Sequence, residues 1–192
     1  MSGVSLVEGR SCEGCTLCCK IMTIRAINKP RLQTCWHCEV GVGCKIFTHP
    51  ERPSECADYF CWYRQDERFG EEWHPNISHI AISYEEHAKR INVCVDPDYA
   101  MSWRAEPYYS GIKAMALSIL RGGGHLIVWQ GADGIGVLPD RDVFLGPPKG
   151  NQVIVAGRRT TSSAEEYDIF ALDANDPRLR GPRSPIKPEP KS

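Results

Sequence analysis

Nine of the chain's ten cysteines lie between Cys12 and Cys61. No other feature constrains the fold as tightly. From Cys12 to Lys45 the large apolar residues are only Leu17, Ile21, Met22, Ile24, Ile27, Leu32, Trp36 and the valines Val40 and Val42. Ordering a chain costs about 1–2 kcal/mol per residue, and so small an apolar set does not offset that cost. Bound metal can, since a structural zinc contributes on the order of 10 kcal/mol or more in small modules. Disulfide staples are the alternative, and the compartment decides between them. Residues 1–10 hold no basic stretch followed by an apolar one, so no secretory leader is expected and a cytoplasmic location is. In that reducing environment dense cysteines bind metal more often than they pair with one another.

The spacing fits metal chemistry. Cys12-Glu-Gly-Cys15-Thr-Leu-Cys18-Cys19 contains overlapping C-x2-C pairs, and Cys35-Trp-His-Cys38 is a further one. Two intervening residues let a tight turn aim both thiolates at one ion. Cys15 can pair with Cys12 or with Cys18, and adjacent Cys18 and Cys19 are expected to point in different directions. Cys15-x2-Cys18-x16-Cys35-x2-Cys38 has the generic zinc-ribbon spacing. That match leaves Cys12, Cys19, Cys44, Cys56 and Cys61 for a second four-ligand site with one to spare. Two mononuclear zinc sites and one polynuclear cluster with bridging thiolates both remain open. His37 and His49 are secondary candidates as ligands or as hydrogen-bond donors to a thiolate. Arg52 can offset thiolate charge, Trp62 can shield the site from water, and Cys94 reads as a small core residue.

The ordered series Cys12-x2-Cys15-x2-Cys18-Cys19, Gly43-Cys44-Lys45-Ile46-Phe47, Arg52-Pro53-x2-Cys56 and Tyr59-Phe60-Cys61-Trp62 resembles the YkgJ-type CxxCxxCC family, described as zinc- or iron-chelating cysteine-cluster proteins. The resemblance covers about residues 12 to 63. It implies metal chelation through eight cysteines: Cys12, Cys15, Cys18, Cys19, one of Cys35 or Cys38, Cys44, Cys56 and Cys61. It implies no reaction.

Beyond the Cys-rich module (1–63) the pattern predicts an α+β region over 64–173, a mostly antiparallel sheet with one packed helix. Arg64 to Pro75 is polar and reads as a connector. Residues 79–83 and 90–95 alternate as a β-hairpin. Ile112, Met115, Ala116, Ile119 and Leu120 form one helical stripe that begins near Pro107 and stops at Gly122-Gly-Gly124. Residues 125–130, 135–138 and 152–156 read as strands, and 142–145 as one more short strand. Residues 174–192 hold five prolines and a local charge of +3 (five basic, two acidic), which predicts an extended, disordered tail and leaves -4 on the rest of a chain whose net charge is -1.

Several functions are excluded by what is missing. The near-neutral charge, with thiolates adding negative charge to the module, argues against nucleic acid. Gly131-Ala-Asp-Gly-Ile-Gly136 has no βαβ context and no phosphate-binding loop accompanies it. No catalytic motif is found, which leans against an enzyme, and no membrane-length apolar run exists. The expectation is a zinc-chelating protein holding two Zn²⁺, or alternatively iron. An iron–sulfur redox protein, metal storage or delivery, and thiol–disulfide catalysis are the other readings. A protein partner is left open.

Overall fold

The computed structural model of the chain describes residues 5–12, 14–160 and 165–179. The Cys-rich segment carries only short elements. Helix α1 (Leu17–Ile21) is one turn, and it buries Leu17 and Ile21 against Ala81, with Cys15, Met22 and Cys94 beside them. Cys94 is thus a packing residue, as expected. Strands β1 (Cys38–Glu39) and β2 (Gly43–Cys44) form a minimal antiparallel pair in which Cys38 faces Cys44. Helices α2 (Ser54–Ala57), α3 (Trp62–Gln65) and α4 (Pro75–Ser78) follow, each a single turn.

The stretch 64–75 is more than a connector. Phe69 and Trp73 are buried, and their rings meet edge to face at 5.2 Å; Trp73 meets Tyr108 in the same way. Arg10 lies over the Tyr63 ring at 4.4 Å and donates to the Tyr63, Asp66 and Phe69 carbonyls. Flanking charges in the sequence hide these aromatic anchors.

Strands β3 (Ile80–Glu85) and β4 (Arg90–Val95) come next, then α5 (Tyr108–Arg121), β5 (His125–Gln130), β6 (Asp133–Val137), β7 (Asp142–Gly146), β8 (Gln152–Thr160) and β9 (Glu165–Asp173). The fold is α+β: a five-stranded sheet in the order β3-β4-β5-β6-β7, a separate antiparallel β8–β9 pair, and one long helix. The chain divides into two compact units, one of Met1–Ser83 with Val93–Tyr108 and the other of Tyr84–Asn92 with Tyr109–Ser192. In the first, the Lys20 ammonium bridges Asp96 (2.5 Å) and Asp98 (2.6 Å), tying α1 to the segment after β4.

In the second unit α5 buries Ile112, Ala116 and Leu120, three of its five stripe residues. Lys113 donates to the Leu138 carbonyl (2.6 Å) and pairs with Asp142 (2.8 Å), latching the helix to the start of β7. Gly136 in β6 lies against the buried Ile169 of β9; a Cβ there would sit 2.6 Å from the isoleucine. Gly124 is required for a different reason than helix capping alone. Its Cβ position lies 2.2 Å from the Lys89 carbonyl oxygen and 2.8 Å from Ile119. Gly124→Ala is therefore expected to destabilise by roughly 1–3 kcal/mol, the usual cost of forced overpacking. The control Gly150→Ala, with nothing within 4 Å, leaves the urea midpoint unchanged.

Beyond β9 the chain makes a 3-10 turn at Pro177–Leu179. The rest of the predicted tail lies outside the described residues. Among the described residues no helix is long and apolar enough to cross a membrane.

Candidate metal centre

The C-x2-C spacings fold as tight turns. Cys15 N–H donates to the Cys12 carbonyl (3.0 Å) and Cys38 N–H to the Cys35 carbonyl (2.9 Å), so each pair is closed by its own backbone. Cys35 N–H donates in turn to the Cys19 carbonyl (3.0 Å), which holds the second turn against α1. Cys56 sits on α2 after the Arg52-Pro53 turn, and Cys61 precedes α3. Glu55 accepts from the Ala26 N–H at 3.0 Å and so ties α2 to the 25–27 turn.

These elements enclose a cavity of about 80 Å³. Eight cysteines line it: Cys12, Cys15, Cys18, Cys19, Cys35, Cys44, Cys56 and Cys61. Most of the remaining wall is apolar, with Leu17, Met22, Ile24, Ile27, Ile46, Phe47 and Tyr59, and His37 and Arg52 complete it. A water-sized occupant needs on the order of 10–15 Å³ in this measure, so the space exceeds that of a single small occupant. Cys38 is not on the wall; it stands one thiol away, hydrogen-bonded to Cys19. Of the two cysteines that the family resemblance leaves open, Cys35 is buried and stands on the wall. None of the ten cysteines is joined in a disulfide.

The thiols neighbour one another around Cys19. Cys15 lies within electrostatic reach of Cys61, Cys12 and Cys19. Cys38 and Cys56 both feel Cys19, Cys35 and Cys44. Cys18 and Cys19, expected to diverge, are hydrogen-bonded to one another. Their one-turn helix turns Leu17 and Ile21 into the core, which leaves both sulfurs near the same wall.

Burial pushes the Cys15 thiol up to about 11 and Cys38 up to about 12, and raises Cys56 and Cys61. Cys19 is raised first by its bond to Cys18 and then by burial. These five thiols are therefore protonated at neutral pH unless a cation compensates their charge. Among the described residues no group of three Cys, His, Asp or Glu side chains is arranged to hold a metal ion. The sulfurs share a wall but do not converge on a coordination sphere.

Three cations surround the sulfurs, and spacing signalled only one. Arg52 lines the cavity, donates to the Phe47 (3.1 Å) and Cys56 (2.7 Å) carbonyls, and lies 4.1 Å over the Phe47 ring. Arg64 Nη1 lies 3.2 Å from Cys12 Sγ. Lys29 is the unexpected one. Its residue is 1% exposed, and its ammonium donates to the Lys20 (3.1 Å) and Met22 carbonyls. Its opposing charges come from Cys35, Cys19, Cys18 and Cys56, while burial pulls its pKa down. A turn places it there: Ile24 and Lys29 exchange backbone hydrogen bonds of 3.0 and 2.9 Å, with Asn28 in the left-handed region at φ 52°.

Other candidates fall differently. His37 lines the cavity and accepts from Trp36 Nε1 at 3.0 Å. His49 does not line it and lies beside Glu51. Tyr59 and Phe47, not Trp62, form the aromatic wall; the Trp62 ring lies 6.2 Å from Phe69.

No family model, curated protein or solved structure matches the chain.

Proposed function

We propose that this chain is a cytoplasmic metal-chelating protein. The observation that carries the proposal is the single cavity of about 80 Å³ with eight cysteines on its wall. Soft sulfur donors select zinc, copper(I) or iron–sulfur centres over hard cations. Cys12, Cys15, Cys18, Cys19, Cys35, Cys44, Cys56 and Cys61 would hold the metal. Lys29, Arg52 and Arg64 support this reading, because eight thiolates with two Zn²⁺ leave a charge of -4 (4 - 8) that neighbouring cations reduce. The cysteine series that resembles the CxxCxxCC chelating family supports it as well. Binding requires the Cys-bearing turns to close inward on the metal and release thiol protons.

Zinc bound there supplies a closed, structural thiolate centre. A second reading is an iron-containing cluster, favoured by the single undivided cavity in place of two separate four-cysteine sites. Metal-edge X-ray absorption on the purified protein tests the donor set. A sulfur-dominated shell, at about 2.3 Å for zinc, is expected, and a shell of oxygen and nitrogen alone contradicts it.

A further inference from the structure

Strands β1 and β2 set Cys38 directly opposite Cys44, so both side chains leave the same face of the hairpin. The Lys45 N–H donates to the His37 carbonyl at 2.8 Å. That bond joins the residues flanking the two cysteines, which makes Cys38 and Cys44 a non-hydrogen-bonded pair. The Cα atoms of such a pair lie about 4.5 Å apart, inside the roughly 4.4–6.8 Å that a disulfide spans. Both cysteines are half-buried, and the hairpin that carries them is open to solvent. Glu39 and Lys45 are more than half exposed, and Val40 and Val42 at its tip are 73% and 63% exposed. Cys44 also lines a surface groove of about 420 Å³, which gives a small oxidant access to its sulfur.

We propose that Cys38 and Cys44 are a site of reversible oxidation, closed into a cross-strand disulfide by hydrogen peroxide. The Cys44 sulfur attacks one peroxide oxygen and the O–O bond breaks. The other oxygen leaves as water with the Cys44 proton, and Cys44 becomes a sulfenic acid. The Cys38 sulfur then attacks the Cys44 sulfur. The S–S bond forms as the S–O bond breaks, and the hydroxyl leaves as water with the Cys38 proton. Two electrons pass from the two thiols to the peroxide, and thiol–disulfide exchange with a reducing dithiol returns them. The hairpin register already opposes the two residues, so no distant segment has to move. The inference goes beyond the metal-chelating reading and does not depend on it; under that reading the bond takes one of the eight sulfurs, Cys44, out of the cavity wall.

The test uses the full-length protein as purified, and again after treatment with a chelator. One equivalent of hydrogen peroxide is added and the remaining thiols are alkylated in denaturant. Cleavage after lysine, arginine and glutamate then separates residues 32–39, with Cys35 and Cys38, from residues 40–45, with Cys44. Mass spectrometry should find these two peptides joined through Cys38 as the main disulfide in at least one of the samples, with Cys35 alkylated. Dithiothreitol should return both thiols. In Cys38→Ser the link should vanish, and dimedone labelling of Cys44 should rise several-fold because its sulfenic acid has lost the opposing sulfur. A disulfide inside 32–39, a bond from Cys38 to Cys19, its hydrogen-bonded neighbour, or no link to 40–45 in either sample overturns the proposal on wild-type protein alone, whether or not the variant folds. Metal content is measured on the same preparation. Less than one metal ion per chain with the Cys38–Cys44 link present contradicts the metal-chelating reading and leaves this inference standing, whereas bound metal with a different link does the reverse.

Discussion

Lys29→Met is expected to destabilise the metal-loaded protein by about 3–5 kcal/mol, the usual cost of breaking a buried charge pair. The same substitution should change the metal-stripped chain by only about 1 kcal/mol, because two terms offset there. Stripped, the Cys19 and Cys56 thiols are protonated, and the ammonium is a buried cation held by the Lys20 and Met22 carbonyls. Methionine loses those two bonds but also removes the cost of burying the charge. Loaded, the same position faces thiolates at Cys35, Cys19, Cys18 and Cys56, and removing the cation leaves that negative charge uncompensated. Urea unfolding of both forms separates the cases. An equal loss in both would make Lys29 a structural strut unrelated to metal.

The second large effect lies in the other unit and depends on acid. His125 on β5 is 5% exposed, and its Nε2 has no hydrogen-bond partner among the described residues. Burial lowers its pKa to about 4, helped by the Arg90 charge and opposed by Glu85, which pairs with Arg90 and His87. The unfolded chain titrates near 6.5. Above that pH both states are neutral at this site, and the contribution to stability is complete. As the pH falls toward 4, the unfolded chain takes up a proton that the native state excludes, so stability falls. The loss approaches about 3 kcal/mol, from roughly 2.5 pH units at 1.36 kcal/mol each. Hydrogen exchange of the β5 amides at pH 7 and pH 4.5 should show it, and His125→Leu should flatten the difference. An unchanged acid limb in His125→Leu would assign the acid sensitivity to another group.

Local pattern made much of this structure readable. The α5 stripe needed only 3.6-residue periodicity and a glycine stop, and β3 to β8 needed only short apolar runs between turn residues. Strand β9 escaped because Glu165, Glu166 and Asp168 interrupt its apolar residues. Its buried positions, Tyr167, Ile169 and Leu172, do not keep a strict alternation. Within the candidate centre, the backbone closure of the C-x2-C turns at Cys12–Cys15 and Cys35–Cys38 followed from spacing. The grouping of thiols did not, because it depends on how distant loops meet around α1. Lys29 was illegible for a physical reason. Lysine is almost never buried without a partner, and its partners are main-chain carbonyls and thiols that no local motif encodes. Tyr59 and Trp62 are both aromatic and three residues apart, and only packing decides which one lines the cavity.

Metal and acid-labile sulfide content per chain, measured after anaerobic purification without added metal, tests the central claim most directly. The account predicts about two metal ions per chain, each held by four thiolates. The absence of sulfide would assign them to zinc, and its presence to an iron–sulfur cluster. Less than one metal ion per chain would contradict the account.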